Sequence, residues 1–242
     1  MTPAEFETYL DTTYDSISNF AAPGYTQAEK NTFLNAAQER YVKKLYNASS
    51  NLDDVGFEET EKRSKDLSEL KRYATIAAGV AGDYPNGIIY QLPDGFWWTL
   101  AERVDLSFTD DCGNAVTEQS TEVKPIREGY YNSNISNPYQ RPSTELVWRL
   151  DKVRTDVTAV LGTANLKRHE LIAPAGATLG TYYISYMKYP KPIDVSDPVD
   201  GYCELDPSVH RTIADEAVTL MLEAARQPRF QTSISKDQGL VE

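Results

Sequence analysis

The sequence predicts an α+β protein with an N-terminal helical hairpin plus a third helix, a central antiparallel β-sandwich or barrel, and a C-terminal helix with an extended arm. Three observations predict it. The first third of the chain, and the stretch from Asp206 to Pro228, repeat apolar residues every three or four positions, the period of a helix. The middle alternates every second position between turn residues, as short strands do. With 242 residues, 40% of them apolar and 25% charged, the chain is long and apolar enough to close a core rather than stay disordered.

The helical region is expected over 1–82. Thr2-Pro3-Ala4-Glu5 joins a capping box to a first-turn proline, and Phe6, Tyr9, Leu10, Tyr14 and Ile17 make one apolar stripe. Ala22-Pro23-Gly24 breaks this helix. Thr26-Gln27-Ala28-Glu29 repeats the capping box ahead of Phe33, Leu34, Ala37, Tyr41 and Leu45, which predicts an αα-hairpin. Asn47 to Asp54 reads as polar loop. A third helix is expected from about Glu59 to Ala78, carrying Leu67, Leu70, Tyr73 and Ala74, with its charge run as a solvated face.

The β region is expected over 83–202, behind the turn-rich Gly82-Asp83-Tyr84-Pro85-Asn86-Gly87. Ile88 to Leu92 and Phe96 to Leu100 read as strands around Pro93-Asp94-Gly95. Val104, Leu106 and Phe108 alternate as a half-buried strand does, and Asp110 to Asn114 reads as a turn. Further strands are expected at Glu145 to Leu150, His169 to Ile172 and Thr181 to Tyr189, the last stopped by Pro190-Lys191-Pro192. The polar segment of about 125–144 reads as a long protruding loop. Over 203–229, Asp206 as N-cap, Pro207 in the first turn, and Val209, Ile213, Ala217, Met221 and Leu222 predict a helix that packs on the helical region. Residues 230–242 have no periodicity and read as an arm that orders only against a neighbour.

Several function classes are excluded or disfavoured. No stretch approaches the roughly 18–20 apolar residues of a membrane span, and the first residues lack the basic and apolar pattern of a secretory signal. That predicts an intracellularly made protein with Cys112 and Cys203 as reduced thiols and its two N-x-S sequons unused. With 24 Lys and Arg against 36 Asp and Glu, the net charge of −12 argues against a phosphate-gripping protein. No zinc-protease, phosphate-loop, dinucleotide or nucleophile-elbow motif occurs. His169 reads as a packed or surface strand histidine, and His210 as a local partner of Asp206 one turn earlier. Asp194, Asp197 and Asp200 miss the alternating spacing of a calcium loop and read as a solvated acidic loop. No catalytic residue, cofactor-binding residue, metal ligand or cofactor is expected.

Tyrosine is the unusual component, at 16 against 7 Phe. Its ring is apolar and its hydroxyl needs a partner, so Tyr concentrates at part-wet boundaries and interfaces. The expected subunit-interface residues are Tyr130, Tyr131, Pro138, Tyr139, Tyr182, Tyr183, Phe230, Ile234 and Leu240.

The order of elements completes the reading. A helical hairpin, a Trp-containing β region, Asn137-Pro138-Tyr139-Gln140-Arg141-Pro142 leading into Val147-Trp148-Arg149-Leu150, the strand Tyr182 to Pro190, and Cys203-Glu204-Leu205-Asp206-Pro207-Ser208-Val209-His210 continuing to Val218 recur together. This arrangement resembles the neck or head–tail connector ring proteins of crAss-like bacteriophages that infect Bacteroidales. The resemblance implies a structural protein of the virion neck or tail region, made in the host bacterial cytoplasm, with no enzymatic activity, cofactor or membrane. It implies a homo-oligomeric, twelvefold ring stacked on the portal protein and on adjacent connector or tail ring proteins. Genomic DNA would pass through the lumen without specific binding, which an acidic wall favours by repelling phosphates. Two other classes compete. A virion-associated hydrolase needs two carboxyl groups across a groove, roughly 5–10 Å apart. A glycan-binding module would use Trp97, Trp98 and Trp148 as a stacking platform, with strand alternation leaving at most one of Trp97 and Trp98 on it.

Overall fold

Both capping boxes form, and they start the two long helices. In α1 (Pro3–Ser18), the Thr2 amide donates to Glu5 Oε2 at 2.8 Å and the Glu5 amide to Thr2 Oγ1 at 3.3 Å. In α2 (Gln27–Tyr46), Thr26 and Glu29 repeat the exchange at 2.8 and 3.4 Å. Such caps satisfy amides that the helix cannot, and each contributes about 1 kcal/mol. The computed structural model describes residues 1–18, 24–46, 61–77, 79–110, 112–152 and 167–225.

The chain divides into two compact units, Met1–Leu70 with Pro190–Glu242, and Lys71–Tyr189. In the first, Ile17 at the end of α1 is exposed, while the predicted stripes bury Phe6, Leu10, Tyr14, Leu34 and Ala37, with Val42 buried beside them. They meet the last described helix, here α5 (His210–Ala225), through Ile213, Ala214, Ala217, Val218 and Met221. The segment leading to α5 is held by two asparagines of α2. Asn35 takes both the amide and carbonyl of Ile193, at 2.7 and 3.0 Å, and Asn31 accepts the Val195 amide at 2.9 Å.

The third helix stops early. Glu61–Asp66 is helical (α3) and Ser68–Leu70 makes one 3-10 turn, but Lys71–Ile76 is strand β1, not helix as far as Ala78. Leu67 and Leu70 are buried as expected. Beyond them, Tyr73, Thr75 and Ile76 suit a strand better than a helix, and pairing with a later strand decides the matter. Ala78 itself, the predicted loop from Asn47 and the first residues of the predicted third helix lie outside the described residues.

The second unit is one eight-stranded sheet in the order β1-β8-β4-β5-β6-β7-β3-β2. Its strands are β1, β2 (Val80–Ala81), β3 (Gly87–Gln91), β4 (Phe96–Thr109), β5 (Ala115–Pro125), β6 (Leu146–Lys152), β7 (Arg168–Ile172) and β8 (Thr178–Lys188). The outermost strands, β1 and β2, are joined by residues 77–79 alone. Ile76 and Val80 therefore lie within about 14 Å, so the sheet must curl back on itself as a half-barrel. Tyr90, Leu92, Val104, Leu106, Val147, Leu171, Tyr182 and Ile184 form its core cluster.

The turn forms, and the antiparallel expectation is corrected at one place. Pro93-Asp94-Gly95 turns the chain as expected, with Gly95 at φ +73°, and β3 and β4 lie beside other strands rather than each other. The predicted antiparallel order breaks once, since β5 and β6 run parallel. Parallel neighbours need a crossover, and the segment expected as a protruding loop is that crossover. It contains helix α4 (Glu128–Asn134), whose Tyr131 is buried with Trp148, Leu150 and Ile172.

Candidate assembly surface and the polar core of the sheet

One face of β1, β8 and β4 is partly open. Register sets Tyr73 beside Ser185, and Ser185 beside Ala101, so these three share one side. Tyr73 is 75% exposed. A shallow groove of about 370 Å³ runs between Tyr73, Thr75, Ala101, Arg103, Tyr183 and Ser185. Tyr183 closes one wall: its hydroxyl donates to Asp105 at 3.0 Å and the Arg103 guanidinium lies 4.3 Å from its ring centre. Ser185 is 8% exposed and its hydroxyl has no partner within the chain.

The tyrosine candidates separate into two groups. Tyr182 points to the other side of β8 and is fully buried, while Tyr131 is buried against Trp148 and Tyr84. Each has its ring in the core of the sheet unit. Tyr130 is half-buried edge-on to Trp148, with Lys124 5.4 Å from its ring centre. Pro138 and Tyr139 are exposed, Tyr139 by 96%. Phe230, Ile234 and Leu240 lie outside the described residues. Tyr73 was missed because a helical stripe assigned it to a core; its flanking Ala74, Thr75 and Ile76 carried the strand signal.

Trp97 and Trp98 overturn simple alternation. The β4–β8 register shifts between Phe96 and Trp98, and this bulge lets adjacent indoles stack at 3.9 Å and 15°. Tyr189 lies 4.7 Å from Trp97 on a tilted plane. Trp148, by contrast, is fully buried.

Beneath the sheet surface lies a polar network that no local motif announces. Arg149 Nη1 donates to Glu102 Oε1 at 2.6 Å and to Thr99 at 3.1 Å, with both charged side chains less than a tenth exposed. The Tyr182 hydroxyl donates to Glu102 Oε2 at 2.6 Å, and His169 Nδ1 lies 2.8 Å from that hydroxyl. Asp151, largely exposed, reaches Arg149 at 3.2 Å and His169 Nε2 at 3.3 Å. Burial pushes the Glu102 carboxyl above the usual range, and Arg149 and Tyr182 draw it back. Burial, then the positive charges of Arg149 and Lys167, push His169 down to about 3. His169 is therefore a packed histidine, as expected.

A second hub joins the turn 82–87 to the sheet. Lys152 Nζ lies 3.2 Å from Glu128, 3.5 Å from Glu170 and 3.6 Å from Asp83, and 4.7 Å from the Tyr84 ring centre. Burial lowers its pKa, but hydrogen bonding to Glu128 and the Glu170 charge outweigh that and hold it above the usual lysine value. Glu170 is fully buried and accepts the Tyr84 amide at 2.9 Å. A Cβ on Gly82 or Gly87 would collide with its carboxylate, which explains both glycines.

Neither hub is arranged for chemistry. The Glu102 carboxylate is spent on Arg149 and Tyr182, and Glu170 on Tyr84 and Lys152. The acidic loop is likewise occupied with its own turns: Asp194 accepts from Ser196 and Asn31, and Asp197 from Val199 and Asp200. Asp110 accepts the amides of Cys112 and Asn114. Among the described residues, no group of three His, Cys, Asp or Glu is placed to hold a metal ion. No described helix is long and apolar enough to cross a membrane. Cys112 is free and exposed, Cys203 free and buried, with burial pushing the Cys203 thiol up to about 11. His210 does not pair with Asp206 as expected. Its Nε2 is 2.8 Å from the Leu205 carbonyl, and Asp206 accepts the Ser208 amide at 2.9 Å instead, because α5 begins only at His210.

Comparison with known proteins gives this fold a family. The profile of the phage tail ring protein 3/4 family matches residues 1–232. The chain belongs to that family. Among the family's relatives, Ring protein 4/5 of Bacteroides phage crAss001 is 29% identical to this chain, covering 97% of each. Ring protein 3 of the same phage is 26% identical, covering 94% of this chain and 97% of its own length. The resemblance to crAss-like phage ring proteins thus holds, and the relatives carry the names of ring components rather than enzymes.

Proposed function

We propose that copies of this chain close into a ring in the neck of a phage particle. The ring is twelvefold, stacks on the portal protein and on adjacent connector or tail ring proteins, and lets genomic DNA through its bore without binding it specifically. It is a non-enzymatic part of the virion, made in the host cytoplasm, and uses no cofactor and no membrane.

One observation carries the conduit reading. The helical unit holds 23 acidic and 12 basic residues, whereas the sheet unit holds 13 and 12, so almost the whole net charge belongs to one unit. A bore lined by the acidic unit repels phosphates and keeps DNA mobile; a basic lining would retain it. The near-neutral sheet unit is the one suited to touch neighbours. A ring needs a heterologous contact, one patch meeting a different patch on the next copy. Permanent contacts of that kind bury roughly 2,000 Å² or more. Tyr130, Pro138, Tyr139 and Tyr183, with Phe230, Ile234 and Leu240, are the proposed contributors. Cryo-electron microscopy of the assembled ring tests this directly: the helical unit should face the bore, and a lumen dominated by Lys and Arg would refute the reading.

The Trp97–Trp98 stack favours a second reading, a sugar platform. Its rings cover one another and Tyr189, so a sugar would compete with contacts inside the subunit. Titration with oligosaccharides under tryptophan fluorescence should leave the spectrum unchanged; a saturable shift would support glycan binding instead.

A further inference from the structure

We propose that the free edge of β1 receives residues 230–235 of a neighbouring copy as an added strand. This deepens the ring reading and rests on it. The sheet has two outermost strands. β2 has two residues, too short to template another strand, while β1 has six and pairs with β8 in continuous register from Lys71↔Met187 to Ile76↔Tyr182. An outermost strand presents unpaired amides and carbonyls along its free side. Natural sheets disrupt such edges with prolines or bulges; β1 contains neither, and only Lys71 and Arg72 at its start guard it. Its core-facing Ala74 and Ile76 pack on the sheet's apolar cluster yet stay only partly buried, so that cluster is left uncovered along β1.

The chain carries a complement of the same length. Seventeen residues follow Ala225, enough to reach roughly 55 Å when extended. Within them, Phe230 and Ile234 stand four positions apart with Thr232 between, so an extended chain sets these three on one face and Gln231, Ser233 and Ser235 on the other. Laid beside β1, Phe230, Thr232 and Ile234 cover Ala74 and Ile76. Gln231, Ser233 and Ser235 come up on the wet side with Tyr73 and Thr75. Backbone hydrogen bonds supply affinity and the alternating pockets supply register, as in other strand additions. Donor segment and acceptor edge differ, so the contact is heterologous and propagates around a ring.

Disulfide trapping tests this in the full chain. With Cys112→Ser as background, Thr75→Cys is combined in turn with Gln231→Cys, Thr232→Cys, Ser233→Cys and Ser235→Cys and oxidised. A paired strand should give a ladder of linked copies from one or two of the wet-side positions and none from Thr232→Cys. Links within a single chain, equal linking at every position, or no linking would overturn the proposal. In parallel, the chain truncated after Arg229 should show at least a tenfold loss of assembled species by mass photometry, with unchanged circular dichroism. Rings that form as well without residues 230–242 sink the added strand and leave the ring reading standing. A full-length chain that never assembles, and gives no links, sinks both.

Discussion

The two units handle charge in opposite ways. The sheet unit turns its charges inward, with Arg149, Lys152, Arg168, His169 and Glu170 all buried. Among its described titratable residues, the helical unit buries Lys30, Asp66 and His210 with Tyr14 and Cys203, and displays most of the others. Beside its apolar cluster, the sheet's interior holds the Arg149–Glu102 pair and the Lys152–Glu170 pair. The helices seal an ordinary apolar seam and leave their acidic surface available for a long-range field. In one unit charge specifies the fold; in the other it specifies what the surface repels.

That contrast is broken most severely at Arg149. Arg149→Leu leaves Glu102 buried without its cation, and losing one partner of a buried pair costs about 3–5 kcal/mol. Urea denaturation should show the sheet unit unfolding far earlier, with helical signal persisting. Coincident loss of both units would mean they do not unfold independently. Leu34→Ala tests the other interior: removing a fully buried leucine should cost about 2–5 kcal/mol, this time lowering the helical transition.

A pH series sharpens the comparison. His169 has a folded pKa of about 3 against an ordinary 6.5, so folding favours its neutral form. Its contribution is complete above pH 6.5 and is lost as pH falls from there toward 3. Melting temperature should drop across that window, and His169→Gln should flatten the drop while lowering stability at neutral pH. An unchanged slope in the variant would remove His169 from the account. The smallest stability effect is expected on the helical surface. Asp15→Lys combined with Glu216→Lys should change stability by under about 0.5 kcal/mol per site, yet raise nonspecific DNA retention at low salt. Equal retention by both proteins would separate the acidic surface from any role toward DNA.

The helices and their caps were legible because each is set by residues a few positions apart: Thr2 with Glu5, Thr26 with Glu29, and stripes at helical spacing. Strands β3, β4, β6, β7 and β8 were legible as short runs between turn residues, β4 also from the alternation of Val104, Leu106 and Phe108. β5 was not, since Thr117-Glu118-Gln119-Ser120 is polar and its place depends on β4. Glu118 even takes a positive φ of 54° at a bulge, with its amide bonded to Ser107. The crossover helix and the strand β1 were misread for the same reason, that a parallel neighbour and β8 are distant in sequence. Family resemblance reached the functional class before the geometry did, whereas the surface sites did not follow from it. Tyr182 and Tyr183 are adjacent in sequence, and only the face of β8 on which each falls decides that one is core and the other accessible.

The interruption of the helical unit by the whole sheet unit has a consequence for biogenesis. α1 and α2 leave the ribosome first, but the helix that completes their seam is made last, after Lys71–Tyr189. The sheet can condense while the nascent hairpin is still waiting, since domains fold as they emerge. Closure of the hairpin thus waits on the synthesis of α5, and a truncated product lacking α5 carries an unclosed hairpin that quality control can recognise.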